Sequence, residues 1–232
     1  MKERPILFSG PMVRALLAGT KMQTRRVVKP QPRTMPDGFL PRLYWPARDT
    51  HMTHDGTGRA FFQFEKRGNY DGQHTASGAF YCPYGQPGDR LWVRENGWER
   101  PERTPKMMRE GADTWEPYYY DADDLPWQDV EDFRLWGFKR RPSIHMPRWA
   151  SRITLEITAV RVERLQDISE VDAKAEGLYQ DTAGRWTTYS AFEQAREHLN
   201  PVQAYRDLWE QINGPGSWDA NPWVYVIQFK KV

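Results

Sequence analysis

The amino-acid sequence predicts a single α+β domain, because segments with strand periodicity and segments with helix periodicity follow one another along the chain. The clearest strand covers residues 153–157, where apolar and polar residues alternate. The last strand covers residues 223–229, where Val224, Val226 and Gln228 share one face and the other face carries aromatic and apolar residues. A short helix should have Pro11 in its first turn and end at Gly19. The 232 residues are enough to bury a core.

Further strands and helices complete this predicted order. The alternation of the long strand slips near Ala159, which indicates a bulge or a bend. Strands are expected at three further places: residues 6–8, 22–28 and 90–95. Two further helices are expected: one from Ser169 to Gly177, and one over about 190–212 with an interruption at 200–201.

Two long segments interrupt this pattern, at about residues 30–77 and 96–142. In the first, proline, glycine, aspartate, histidine and arginine break every apolar run. In the second, tryptophans stand among many charges, and we expect these rings to pack on the body of the domain because they are costly to leave in water. We interpret both segments as irregular insertions into one domain. Loops this long are uncommon in a compact domain and are often functional or mobile.

Composition and motifs exclude several classes of protein. Cys82 is the only cysteine, so neither an intrachain disulfide nor a cysteine-based zinc site can form. The N-terminal apolar run is too short for a signal peptide, and no run approaches the ~18 apolar residues of a membrane span. The histidines show no metal-ligand spacing, and P-loop and dinucleotide motifs are absent from the sequence. We expect a soluble, cytoplasmic protein that uses no metal or cofactor.

The strongest candidates for chemistry follow the first helix, where Lys21, Thr24, Arg25 and Arg26 stand close together. A lysine whose pKa is lowered by burial or by nearby cations can act as a general base, and a threonine hydroxyl can act as a nucleophile. Strand pleating places positions three apart on opposite faces, but Lys21 lies at the helix exit and its long side chain could reach back to Thr24. The alternative is that these basic residues only favour the helix C-terminus and solvent.

Glu176 is the second candidate, because it stands at the end of a predicted helix, where the helix dipole disfavours a negative charge. Such an unfavourable position indicates that the carboxylate has a role outside the helix. The alternative is a solvated surface glutamate. Trp92 and Arg94 share one face of the strand before Glu95 and could hold a planar base, or belong to a structural hairpin. Arg148 could bind phosphate, or its segment could only cap the domain.

Taken in order, these motifs resemble the ASCH domains of the PUA-like superfamily, and in particular the bacterial N(4)-acetylcytidine amidohydrolases, as a larger, prophage-type relative. The matching parts cover less than half of the 232 residues, around both insertions. The resemblance implies a single domain over residues 1–232, built as a small mixed β-barrel flanked by helices. The matching pieces are Ala18-Gly19-x-Lys21-x-x-Thr24-x-Arg26, Gly88-Asp89-x-Leu91-x-Val93, a long strand, Ala173-x-x-Glu176 and Val226-Ile227-x-Phe229-Lys230.

In those amidohydrolases a lysine, a threonine and a glutamate form the catalytic set, and the resemblance places them at Lys21, Thr24 and Glu176. It implies that Lys21 accepts the Thr24 proton, that Thr24 attacks the acyl carbon, and that Glu176 orients the lysine or carries a proton to the leaving amine. The expected substrate-binding residues are Arg26, Glu95 and Arg148. The tryptophans and arginines of the second insertion suit a wall or lid over the substrate.

The sequence therefore predicts an amide hydrolase acting on an N(4)-acylated cytosine, cytidine or related modified nucleobase, as a small-molecule substrate. The alternative is an RNA- or nucleotide-binding ASCH module, or a ribonuclease, that uses the same pocket. The 14% aromatic content and several arginine-rich segments favour this alternative. The formal net charge of only +2 argues modestly against it, because it provides no strong field to attract nucleic acid.

Overall fold

The computed structural model describes residues 1–29, 31, 50–54, 59–64, 79–109, 111, 115–123, 127–188 and 198–232, with 50–54, 59–64, 79–80, 127–130 and 188 as backbone alone. No α-helix in these ranges is long and apolar enough to cross a membrane. The strands are β1 Glu3–Leu7, β2 Gln23–Val27, β3 Thr50–His54, β4 Arg59–Phe64, β5 Ala79–Tyr81, β6 Arg90–Arg94, β7 Gly97–Glu99, β8 Tyr118–Tyr120, β9 Lys139–Arg141, β10 Thr154–Arg164, β11 Leu178–Gln180, β12 Trp186–Thr188 and β13 Trp223–Lys231. The α-helices are α1 Gly10–Leu17, α2 Pro105–Arg109, α3 Trp127–Leu135, α4 Glu170–Ala175 and α5 Pro201–Asn213.

A five-stranded sheet with the order β1-β6-β10-β13-β2 forms the centre of the fold. β1 runs parallel to β6, and the other neighbouring pairs are antiparallel. The register of β10 against β13 shifts between Ile157 and Ala159, which confirms the bulge expected near Ala159. Several sheets together with a few separate helices confirm the α+β class.

Within the described residues, the sheet does not close into the barrel that the resemblance implied. A closed barrel needs a ladder between its first and last strands, whereas β1 and β2 are the two edges of this sheet. A side chain connects the edges instead, since Arg26 Nη2 donates a hydrogen bond to the Leu7 carbonyl oxygen at 2.6 Å. The assignment to the PUA-like superfamily stays a prediction.

Two hydrophobic cores lie on opposite faces of the sheet. Ile227 belongs to one core and its neighbour Val226 to the other, and successive residues of a strand point to opposite faces. The first core includes Val13 of α1. The second includes Ala173 of α4 and Trp209 of α5. Helices therefore cover both faces, and the edge strand β2 lies where α1, α4 and α5 all approach the sheet.

The ends of the helices follow the predicted signals. α1 has Pro11 in its first turn, and Gly19 follows it with φ +75°. The Ser169 side chain accepts a hydrogen bond at the start of α4, and the Asn200 side chain does so at the start of α5. The first part of the helix predicted over about 190–212, residues 190–197, lies outside the described residues.

Both segments expected to be irregular insertions contain regular structure. In the first, β3 pairs with β4, and β4 continues the same sheet with β5; most of residues 30–77 lies outside the described part of the chain. In the second, β7 pairs with β8 and β9, and Trp98, Phe133 and Phe138 form a separate core. The expectation of irregular structure was wrong at these strands. The strands of the second insertion have only three residues each, which is too few to show periodicity.

Candidate functional site

Lys21 and Glu176 meet at the free edge of β2, although 155 positions separate them in the sequence. The two residues form an isolated antiparallel bridge, and the neighbouring amide of Met22 donates to the Ala175 carbonyl oxygen at 2.9 Å. Lys21 Nζ donates to the Glu176 carbonyl oxygen at 2.7 Å and to Glu176 Oε2 at 3.0 Å. The side chains are 0% and 3% exposed. Two of the three predicted catalytic residues therefore form a buried ion pair.

The end of α4 explains how this contact forms. Glu176 is the C-cap residue of the helix, and Gly177 follows it with φ +96°. A side chain at Gly177 would place its Cβ 2.9 Å from Ala15 Cβ and 3.1 Å from Lys21 Cβ. Glycine therefore allows both the turn and the close approach of α4 to Lys21. The negative charge that appeared misplaced at a helix C-terminus is balanced there by cations.

We expect Gly177→Ala to lower the free energy of unfolding by about 2–4 kcal/mol, because alanine adds backbone strain and a steric overlap. Gly19→Ala is the matched control, since Gly19 also follows a helix at positive φ but has no atom within 4 Å of an added Cβ. The control should cost only the backbone strain, about 1–2 kcal/mol. Equal losses in urea denaturation would contradict the close packing against Ala15 and Lys21.

Arg25 connects Glu176 to two more carboxylates. Its side chain is 0% exposed, and its Nη1 donates to Glu176 Oε1 at 3.0 Å. Its Nη2 lies 2.6 Å from Glu163 Oε1 and 3.3 Å from Asp172 Oδ2. Arg161 contacts the same two carboxylates, at 2.9 and 2.8 Å. The resulting ion cluster balances three cations against three carboxylates: Lys21, Arg25 and Arg161 with Glu163, Asp172 and Glu176.

Burial changes the acid–base chemistry of Lys21. Removal from water lowers the pKa of its ammonium from the ordinary 10.5, the Glu176 carboxylate opposes this change, and the Arg26 and Arg25 guanidinium groups add to it. An amine with a lowered pKa releases its proton closer to neutral pH. Lys21 therefore has the environment that a general base needs.

A small cleft lies beside this ion pair. Its volume is about 60 Å³, which is room for about four water molecules. Thr24, Arg26 and Glu176 line it, whereas Lys21, which contacts Glu176, does not. Apolar side chains from α1 and α5 form another part of the wall; they include Met12, Leu208 and Ile212. The cleft thus has a polar end at β2 and an apolar end at α5.

Thr24 lies opposite Ile227 in the ladder between β2 and β13 and is 2% exposed. Its hydroxyl forms no hydrogen bond with any residue in the described ranges, so it is not bonded to Lys21. The reason is geometric, because Lys21 Nζ turns to Glu176 at the strand edge instead of reaching back along the strand. Glu176 is the residue that connects the two, since it contacts Lys21 and shares the cleft with Thr24.

Arg26 provides positive charge at the cleft. Its guanidinium lies 5.4 Å from the centre of the Phe8 ring and 5.9 Å from that of Tyr84. Its Nη2 donates to the Leu7 carbonyl oxygen, while its buried Nε has no hydrogen-bond partner. No carboxylate in the described part of the chain forms an ion pair with Arg26, so its charge is available to a ligand.

Glu95 and Arg148, the other two predicted substrate-binding residues, do not line the cleft. Glu95 is 1% exposed and accepts two hydrogen bonds from Arg152, each at 3.0 Å. Burial raises the pKa of the Glu95 carboxyl, and Arg152 opposes that change. Arg148 is exposed and pairs with Glu3 on β1 at 3.1 Å. Both side chains have partners within the fold, which sequence spacing did not indicate.

No residue from the described part of the second insertion, 96–142, lines the cleft either. Trp115 stacks on Trp136 with ring centres 5.1 Å apart, and it packs against the core around Phe133. The side chain of Trp127 lies outside the described residues. The wall of the cleft opposite β2 comes instead from α5.

Sequence reasoning did not identify several residues of the site. Arg25 was treated only as a source of positive charge, although its place between two candidate residues on a strand made it a candidate itself. Tyr205 and Trp209 of α5 were not named as candidates, and both line the cleft. The buried Trp209 Nε1 has no hydrogen-bond partner. Their amphipathic helix could be predicted, but its docking against β2 could not.

Comparison with known proteins does not assign this chain to a family. The chain matches no protein-family model, no curated protein and no solved structure. Among the residues that the structure describes, no group of three or more histidine, cysteine, aspartate or glutamate side chains is arranged to hold a metal ion. The chemistry of the site must therefore be inferred from its own geometry and from the motifs of the sequence.

Proposed function

We propose that this protein is an amide hydrolase of the ASCH, PUA-like type that acts on an N(4)-acylated cytosine, cytidine or related modified nucleobase. The observation that carries the proposal is the buried Lys21–Glu176 pair beside a cleft that Thr24 also lines. The free thiol of Cys82 agrees with the cytoplasmic location that we include in the proposal.

In the proposed reaction, Thr24 Oγ1 attacks the acyl carbon while its proton passes through the Glu176 carboxylate to the neutral Lys21 amine, which is hydrogen-bonded to that carboxylate. The Lys21–Glu176 pair then gives this proton to the leaving amine, which departs as the free base or nucleoside. Water hydrolyses the threonine ester by the same route, and the carboxylic acid leaves. Each proton taken up is returned, so the enzyme ends in its starting state.

Arg26 stabilises the oxyanion that forms on the acyl oxygen. Its guanidinium is part of the cleft lining, and no carboxylate in the described part of the chain pairs with it. A preorganised donor of this kind lowers the barrier because it needs no reorganisation when charge develops. Arg25 is less suited to this role, since its guanidinium is already bound to three carboxylates.

The size of the cleft favours small acyl groups, because about 60 Å³ is too small for a whole nucleoside. We place the acyl group at the apolar end, against Leu208 and Ile212, and the base towards solvent. Ile212→Ala should raise the ratio of kcat/KM for benzoyl over acetyl substrates by about tenfold. Leu199→Ala is the control, since Leu199 is exposed and does not line the cleft. An unchanged ratio for Ile212→Ala would contradict this placement.

The experiment that tests the proposed function is turnover of a panel of acylated cytosines and cytidines by the purified protein, with the released base or nucleoside measured by chromatography. We expect release of cytidine from N(4)-acetylcytidine and its loss in Lys21→Ala. Absence of turnover across the whole panel would exclude the proposed substrates.

A second candidate function, binding of RNA or nucleotides, is favoured by a different surface. The guanidinium groups of Arg94 and Arg148 lie 4.5 and 5.7 Å from the ring centre of Trp92. Trp92 itself is buried, whereas Trp149, next to Arg148 in the sequence, is 58% exposed. Such side chains can stack on bases and contact phosphate. Salt-dependent binding of single-stranded RNA without amide cleavage would favour this function.

A further inference from the structure

We propose that Arg25 is a positioning residue: it holds one oxygen of the Glu176 carboxylate, so that only the other oxygen is left to Lys21. This inference rests on the proposed function for its role in catalysis. The geometry is direct, since Arg25 Nη1 lies 3.0 Å from Glu176 Oε1 and Lys21 Nζ lies 3.0 Å from Glu176 Oε2. Neither cation is exposed, so water does not substitute for either contact.

The carboxylate therefore divides its charge between two cations. Without Arg25, the whole charge of Glu176 would face Lys21, hold it as an ammonium and remove its capacity to accept a proton. The contacts of Arg25 with Glu163 and Asp172 fix the guanidinium in this orientation. A planar fork that binds several carboxylates at once is a property of arginine that lysine cannot reproduce.

The groups around Lys21 Nζ belong to, or directly follow, four elements. Glu176 follows α4, and Arg25 and Arg26 belong to β2. The Phe8 ring, after β1, lies 5.6 Å from Lys21 Nζ. From α5, the ring of Tyr205 lies 5.7 Å from the Arg25 guanidinium, and burial keeps the pKa of its phenol well above 10, so it stays neutral. Among these groups, Arg25 is the cation that contacts Glu176 besides Lys21.

Arg161 provides a matched control, because it belongs to the same ion cluster but does not touch Glu176. It contacts Glu163 and Asp172 at 2.9 and 2.8 Å, as a second guanidinium of equal charge. Arg25→Gln and Arg161→Gln each remove one cation from the ion cluster. Only the first one releases a Glu176 oxygen, so a general effect of lost charge can be separated from the positioning effect.

The test is an NMR titration of Lys21 Nζ in lysine-labelled protein, with the signal assigned by its absence in Lys21→Met. In Arg25→Gln we expect the midpoint to move upward by about one pH unit, and in Arg161→Gln we expect it to stay at the wild-type value. If Arg25→Gln does not fold, Arg25→Gln combined with Glu163→Gln keeps the charge balance and should show the same movement. An unmoved midpoint in the Arg25 variant, or an equal movement in both variants, would overturn the proposal.

The same variants separate this proposal from the proposed function. If the protein cleaves acylcytidines, the rise of kcat with pH should move upward in Arg25→Gln together with the NMR midpoint. If the wild-type protein cleaves none of them, the proposed function fails, and the NMR titration still decides whether Arg25 controls the protonation of Lys21.

Discussion

Lys21→Met should lower the free energy of unfolding by about 3–5 kcal/mol, because it leaves the buried Glu176 carboxylate without one of its two cationic partners. Methionine is long and apolar enough to fill most of the space of the lysine side chain, so little of the loss comes from a cavity. The Glu176 side chain is only 3% exposed, and water cannot compensate it. Urea denaturation near pH 7 measures the effect.

Two further variants identify the cause of this loss. Lys21→Met combined with Glu176→Gln removes one charge of each sign and should recover part of the lost stability. Lys230→Met is the surface control, since Lys230 Nζ also lies 3.0 Å from a carboxylate, Glu156, but its side chain is 60% exposed. That pair should be worth less than about 1 kcal/mol. Equal losses for Lys21→Met and Lys230→Met would contradict the importance of burial.

The lysine also gives the stability a defined pH dependence. The pKa of Lys21 is lower in the folded protein than the ordinary 10.5, so the unfolded chain binds more protons between those two values. The free energy of unfolding of the wild type should therefore rise with pH across this window, relative to that of Lys21→Met. A difference that stays constant with pH would show that Lys21 does not titrate there.

Thr24→Ala should lower kcat/KM for amide cleavage by at least about a thousandfold, because it removes the proposed nucleophile. The unfolding midpoint should change little, since the Thr24 hydroxyl forms no hydrogen bond within the described part of the structure. Activity is measured by release of cytidine from N(4)-acetylcytidine, and stability by thermal unfolding of the same samples.

Two substitutions at the same position serve as controls. Thr24→Val keeps the volume of the side chain and should be as inactive as Thr24→Ala, because it also lacks the hydroxyl. Thr24→Ser keeps a hydroxyl and should retain part of the activity. If all three variants unfold at a much lower temperature than the wild type, Thr24 has a structural role instead.

The elements that could be predicted from the sequence are those whose apolar pattern extends over many residues or whose end has a strong signal. The alternation in β10 extends over many residues, β13 is a long run of mostly apolar residues, and Gly19 follows α1 at a positive φ. The strands of the second insertion have only three residues each, such as β7 at Gly97–Glu99. Their pairing depends on contacts between distant parts of the chain, which no local pattern records.

The candidate site also has a part that could be predicted from the sequence and a part that could not. Lys21, Thr24 and Glu176 were predicted as one set, and the structure brings them to one place. The resemblance implied that Glu176 could orient Lys21, and the two side chains do pair. The part that was not predicted is that Lys21 forms no hydrogen bond with Thr24 and that Arg25 binds the other Glu176 oxygen. These contacts depend on how α4 docks at the free edge of β2, which is a tertiary property.

The most direct test of the proposed hydrolase is the steady-state release of cytidine from N(4)-acetylcytidine by the wild-type protein, compared with Thr24→Ala at equal concentration. We expect continuous turnover by the wild type and none above background by the variant. Turnover at the same rate by both proteins would contradict the assignment of Thr24, and no turnover of any acylated cytosine or cytidine by the wild type would contradict the hydrolase itself.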